Sequence, residues 1–148
     1  MLNSLHLAKR ALFSIGNASV SSADQQWIAS TLIGREFALW QQFTNPDKRH
    51  SVKVARRFNA EVPNASKKYL AGVMLHDIGK ISSNLSTLMR VIATLVGPRG
   101  QRFTTYHHHE RVGVRLLQEI NSEAETISIL DGSCETSIYK AFLRADNI

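Results

Sequence analysis

The chain has 148 residues, 43% of them hydrophobic, and a formal charge of +6. That length suits one domain able to bury a core without disulfide support. The single cysteine, Cys134, excludes an internal disulfide and points to a reducing, cytoplasmic setting. No apolar run approaches the ~20 residues of a membrane-spanning helix, so no membrane partner is expected.

The positive charge suits an anionic partner, but the basic residues are scattered and interrupted by acids. There is no dense basic arm and no aromatic–basic alternation of the single-strand-binding kind, so nucleic acid is not the expected partner. A small phosphorylated molecule such as a nucleotide needs only a few of these charges. A homo-oligomer is left open.

In chain order, Leu5, Ala8, Leu12 and Ile15 fit a short amphipathic helix packed on the body rather than a cleaved transit peptide. Ser22-x-x-Gln25 reads as a capping box. It opens a helix with Trp27, Ile28 and Leu32 on one side, which Gly34 breaks. Phe37, Leu39, Trp40 and Phe43 follow at helical spacing. Asn45-Pro46-Asp47 predicts a helix start with Asn45 as N-cap, running to about Ala60. After Pro63-Asn64, the apolar run from Tyr69 to Leu75 predicts a helix to about Ile78 with Gly79 as its stop.

A further helix is expected over residues 85–95, a turn-rich loop at 97–100, and a helix from Tyr106 to Ile120. Ser122-x-x-Glu125 reads as a second capping box, for a short helix ending at Asp131-Gly132. The last helix is predicted from Cys134 to Asp146. No segment alternates like a strand. The expectation is an all-α, compact bundle of seven to eight helices forming a single domain. Residues 1–44 would be a helical extension packed on a core of 45–148.

Four polar residues interrupt the apolar stripes of these helices. His50, Val54 and Phe58 step by four, so His50 falls on the stripe that faces the core. Ile138, Phe142 and Asp146 form a similar stripe on the last helix. Tyr69, Val73 and Asp77 form another, with His76 on its flank. His109 lies on a stripe with Gly113, Leu116 and Ile120. A buried carboxylate without a partner costs several kcal/mol, which a divalent cation offsets. A mixed nitrogen–oxygen set suits Mn, Fe, Co, Ni or Zn, and Mg less well. His76 and Asp77 are neighbours on one helix, so they would flank an ion from two sides.

The order His50, His76-Asp77, Asp146, with an apolar run before the pair and Gly79-Lys80 after it, resembles the HD-domain superfamily of metal-dependent phosphohydrolases. The segment Ala141-Phe142-Leu143-Arg144-Ala145-Asp146-Asn147 resembles the closing Leu-x-x-Ala-Asp segment of that superfamily. The resemblance covers roughly residues 45 to 148. The leading segment, with Trp27, Trp40 and Arg49-His50, is similar to small stand-alone bacterial HD proteins.

The resemblance implies one divalent metal ion held by His50, His76, Asp77 and Asp146. The implied reaction is hydrolysis of a phosphate ester by an activated water, with Asp77 orienting it. Lys80 and Arg49 stand beside the motif and would neutralise phosphate oxygens. His109 or His108 would contact substrate or a bound water. No histidine follows His109 and no Gly-Tyr-Pro signature occurs, which argues against a full second metal set and against the cyclic-dinucleotide phosphodiesterase branch. The alternative reading is an HD-fold nucleotide-binding or regulatory module with weak or no turnover. Asp146 stands two residues before the end of the sequence, where a terminal turn would fray.

Overall fold

The computed structural model describes residues 18–83 and 109–147. Within them lie seven α-helices and one 3-10 helix, with no strand among the described residues. The expected elements at residues 1–17, 85–95 and 97–100, and the start of the helix at Tyr106, lie outside the described residues.

Helix starts follow local hydrogen-bonding chemistry, often one residue from the expected position. α1 (Ser22–Thr31) is capped by Ser21, whose hydroxyl accepts the Asp24 N–H at 3.1 Å. α2 spans Gly34–Trp40. Gly34 opens this helix rather than closing α1, because the buried Glu36 carboxylate accepts the Ile33 N–H at 3.0 Å and starts a new turn there. α3 (Asn45–Glu61) is capped by Thr44 rather than Asn45. The Thr44 hydroxyl accepts the Asp47 N–H and donates to the Asp47 carboxylate.

α4 (Lys67–Met74) is capped by Ser66 and is followed by the 3-10 helix, Ile78–Ser83. α5 spans His109–Glu119, α6 spans Ala124–Asp131 and α7 spans Thr136–Asp146. Glu123, not Ser122, occupies the N-cap of α6 and makes no side-chain cap bond. Gly132 ends α6 at φ 75°, a left-handed conformation that favours glycine.

α4 is the central element. It packs on α6, on α3 and on α1, while α7 lies on α3 and α5 covers the 3-10 helix and α6. Val54, Phe58, Val73, Met74, Leu75, Ile78, Leu117 and Ile129 are fully buried where these helices meet. Burial of each such side chain stabilises the fold by about 2 kcal/mol. Gly72 lets α4 and α6 approach: a Cβ there would stand 2.5 Å from the Thr126 carbonyl oxygen.

α4 ends at Met74, four residues before the expected last helical residue, Ile78. Leu75 has φ −105° and ψ 6°, outside the helical region. The Ile78 N–H, which would continue the ladder onto Met74 O, bonds Leu75 O at 2.9 Å instead. Two of the freed carbonyls are taken by side chains. Ser51 Oγ donates to Met74 O at 2.6 Å, and His76 Nδ1 donates to Val73 O at 2.7 Å. The His76-Asp77 pair thus lies in a turn between two helices rather than on a helical surface. Gly79 sits inside the 3-10 helix.

Candidate metal centre

Three segments bring the expected polar residues together. His50 comes from the first half of α3, His76 and Asp77 from the turn after α4, and Asp146 from the last turn of α7. His50, His76 and Asp77 each offer an atom within 4.8 Å of the others, an arrangement able to hold a metal ion. His50 Nε2 lies 3.7 Å from Asp77 Oδ2, and His76 Nε2 lies 3.4 Å from the same oxygen. Asp146 Oδ1 joins them at 3.1 Å from His50 Nε2 and 3.3 Å from His76 Nε2. Atoms bound at about 2.1 Å to one cation stand roughly 3.0–3.4 Å apart, so most of these separations match a shared ion.

The tautomer of His76 supports that match. A carbonyl only accepts, so the 2.7 Å contact with Val73 O places the Nδ1 proton. In the neutral ring Nε2 therefore carries a lone pair, and that lone pair faces two carboxylates, which also only accept. Nε2 is buried and makes no hydrogen bond among the described residues. Phe142 packs edge-on against the ring, with centroids 5.2 Å apart, and His50 lies across from it at 5.4 Å. A buried nitrogen in this position needs either a proton or a cation. A carbonyl-oriented imidazole beside ionised carboxylates is the usual donor set of a divalent metal site. The residues fit the ion.

Without a cation, the surrounding carboxylates favour a proton on His76. Burial alone would lower the His76 pKa, but the charge of Asp77, together with Asp146, outweighs it and pushes the pKa up to about 10. Burial likewise works to raise the Asp146 pKa, and the contacts from His50 and His76 overcome it and hold that carboxyl well below its usual range. Because the folded His76 pKa exceeds the ordinary 6.5, this pairing stabilises the metal-free fold fully below about pH 6.5 and is lost as pH rises through about 10. Denaturant midpoints of the metal-free protein should fall across that window, and the slope should flatten in His76→Gln. Equal slopes in the two proteins would show that the His76 pairing contributes nothing.

The last turn of α7 is helical through Asp146, and the Asn147 N–H bonds Leu143 O. Arg144 pairs with Glu61 and Arg57 donates to Arg144 O, which ties this turn to α3. Lys80 Nζ lies 2.7 Å from Asp77 Oδ2, so its first role is to pair with that carboxylate. Arg49, next to His50, donates to Ala18 O, which ties the segment before α1 to the start of α3. His108 lies outside the described residues, and of His109 only the backbone, the first residue of α5, is described.

Ser51 is not among the residues that the sequence points to, and Trp40 stands out there only as an apolar stripe residue of the leading segment. Trp40 Nε1 donates to Ser51 Oγ at 3.0 Å, and both side chains are almost completely buried. The available signal was a serine beside His50 at a buried helical position.

His50, His76 and Asp77, with Asp146 beside them, converge between the helices in an arrangement able to hold a metal ion. The family model described as "Cas3, HD domain" matches residues 37–144, and the chain belongs to this HD-domain family. Its match begins within α2, ahead of the core boundary expected at residue 45. HD-domain families are in general metal-dependent hydrolases, and their members bind divalent metals. Comparison with curated proteins and with solved structures returns no match.

Proposed function

We propose that the protein hydrolyses a phosphate ester, with His50, His76, Asp77 and Asp146 holding one divalent cation. The observation that carries this reading is the buried His76 Nε2, which faces two carboxylates and has no hydrogen bond among the described residues. The cation would supply Lewis acidity, polarising a phosphoryl oxygen and acidifying a water.

The protein's own groups have separate tasks in this scheme. Val73 O fixes the His76 ring by accepting its Nδ1 proton. Asp77, paired with Lys80 at 2.7 Å, orients the attacking water through its carboxylate. Lys80 Nζ also adds positive charge where phosphate oxygens would approach. His50 and Asp146 complete the donor set from α3 and α7. The substrate class proposed is a nucleotide or another small phosphorylated molecule.

Elemental analysis of the purified protein should find about one divalent cation per chain. Mn2+ or Co2+ at 100 times its Kd should raise the stability by about 2.7 kcal/mol. For a domain of this size that corresponds to a Tm increase of roughly 5–11 °C, reversed by EDTA. The loaded protein should release p-nitrophenol from p-nitrophenyl phosphate or its bis ester. Loaded protein that turns over neither ester, nor any of a panel of nucleotides and short DNA strands, would overturn the proposed reaction.

A further inference from the structure

We infer that Ser51 is a positioning residue for this centre, tying the helix that carries His50 to the turn that carries His76 and Asp77 through its bond to Met74 O, with the Trp40 indole aligning its hydroxyl. The inference rests on the metal-centre reading above.

Ser51 is the residue after His50, and Met74 lies two residues before His76. The Ser51 hydroxyl has one proton, which it gives to Met74 O at 2.6 Å. Its lone pairs face Trp40, whose Nε1–H donates to it at 3.0 Å. The indole has no acceptor, so it can meet the hydroxyl only in this sense and leaves the serine proton for the carbonyl. Trp40 is itself held by stacking on Phe37 at 5.9 Å and by Lys48 over its ring at 5.3 Å. All three members of the chain lie in the dry interior: Ser51 is 2% exposed, Trp40 1% and Met74 0%. A chain of hydrogen bonds there is stronger than its counterpart in water and costly to leave half made.

The consequence for the site is geometric. Met74 O and Val73 O are two of the carbonyls released where α4 stops. One is used to hold α3 and the other to hold the His76 ring. The two bonds together set how far His50 stands from His76 and Asp77. Without the Ser51 proton, Met74 O is a buried acceptor lacking a donor, and the turn must move to reach another.

The test compares Co2+ binding to the full chain and to Ser51→Ala, Ser51→Thr and Trp40→Phe. Ser51→Ala should weaken Co2+ by ~10–100-fold, the usual effect of removing a group that orients metal ligands. It should also change the visible absorption of bound Co2+, which reports coordination geometry and not global stability. Ser51→Thr restores the hydroxyl and should restore both readouts; Trp40→Phe, which keeps the serine proton, should fall between. Where Ser51→Ala does not fold, Ser51→Cys preserves the volume, weakens the donor and takes its place. Folded Ser51→Ala with wild-type affinity and spectrum would overturn the inference.

If the wild type binds no Co2+, the metal-centre reading fails, and the positioning role is then judged in metal-free protein. There the proton NMR line of His76 Nδ1–H should be sharp in wild type and broadened in Ser51→Ala. An unchanged line would overturn the inference on its own.

Discussion

Asp77→Ala is expected to lose tight binding of a divalent cation and, with it, hydrolysis of phosphate esters. Removing a group that only orients a metal ligand lowers affinity by ~10–100-fold. A direct ligand that also orients the water should cost more, so the expected fall in kcat/KM exceeds ~100-fold. The fold should persist, since the helices around the site are anchored by Phe58, Met74, Leu75 and Ile129, all fully buried. Circular dichroism checks the fold and calorimetric titration with Mn2+ checks the site. Asp77→Asn is the sharper variant, because it preserves the shape and removes the charge. A folded Asp77→Asn protein with undiminished metal affinity and turnover would exclude Asp77 from both roles. Lys80→Met should have a smaller effect, on KM as well as kcat, because Lys80 pairs with Asp77 at 2.7 Å and is not itself among the candidate ligands.

Gly72→Ala is expected to be the most damaging conservative change away from the site. A Cβ at this position would stand 2.5 Å from Thr126 O, 2.8 Å from Ile129 Cγ1 and 2.9 Å from Ile129 Cβ. The first of these is backbone, so α4 and α6 must separate. Inserting one methyl group into a packed core costs about 1–3 kcal/mol, and a backbone clash puts this case at the upper end. At about 3 kcal/mol the Tm should fall by roughly 6–12 °C. The displacement would also be felt at the metal centre, since α4 leads directly into His76-Asp77. Thermal melts of Gly72→Ala with and without Mn2+ check both effects. A Tm within about 2 °C of wild type would mean that the two helices approach less closely than the structure shows. As a control, a substitution at Gly34, where an added Cβ meets nothing within 4 Å, should be tolerated in packing terms.

The surroundings of the candidate site are themselves tied down. Polar groups close to the candidate ligands are engaged: Lys80 with Asp77, Arg57 with Arg144 O, and Arg144 with Glu61. Each bond involves either a candidate ligand or the turn that presents one. Individually, exposed ion pairs such as Arg144 with Glu61 add little stability. Their value here lies in holding the last turn of α7, and so Asp146, in register with α3.

Much of this was legible without a structure. Helical periodicity depends only on which residues lie three and four positions apart, so the sequence sufficed for the all-α class and for the inward-facing stripes of α3 and α7. The same periodicity placed His50 and Asp146 where apolar side chains belong, and the HD pair pointed to the remaining two candidates. Helix ends were less legible. Ser21, Thr44 and Glu36 displaced the expected starts by one to three residues, because several neighbouring side chains could each accept the same orphan N–H groups. The end of α4 could not be read at all. Its apolar pattern continues through Leu75 and Ile78, but the ladder stops at Met74, where carbonyls are taken by Ser51 and by His76 itself. One of those partners is 23 residues away in sequence. A hydrogen bond of that range is decided by how α3 packs on α4, and no local pattern encodes it. The sequence alone determined which residue types could hold a cation. Only the packing of three helices decided that they meet within a few ångströms, with one buried nitrogen left facing two acids.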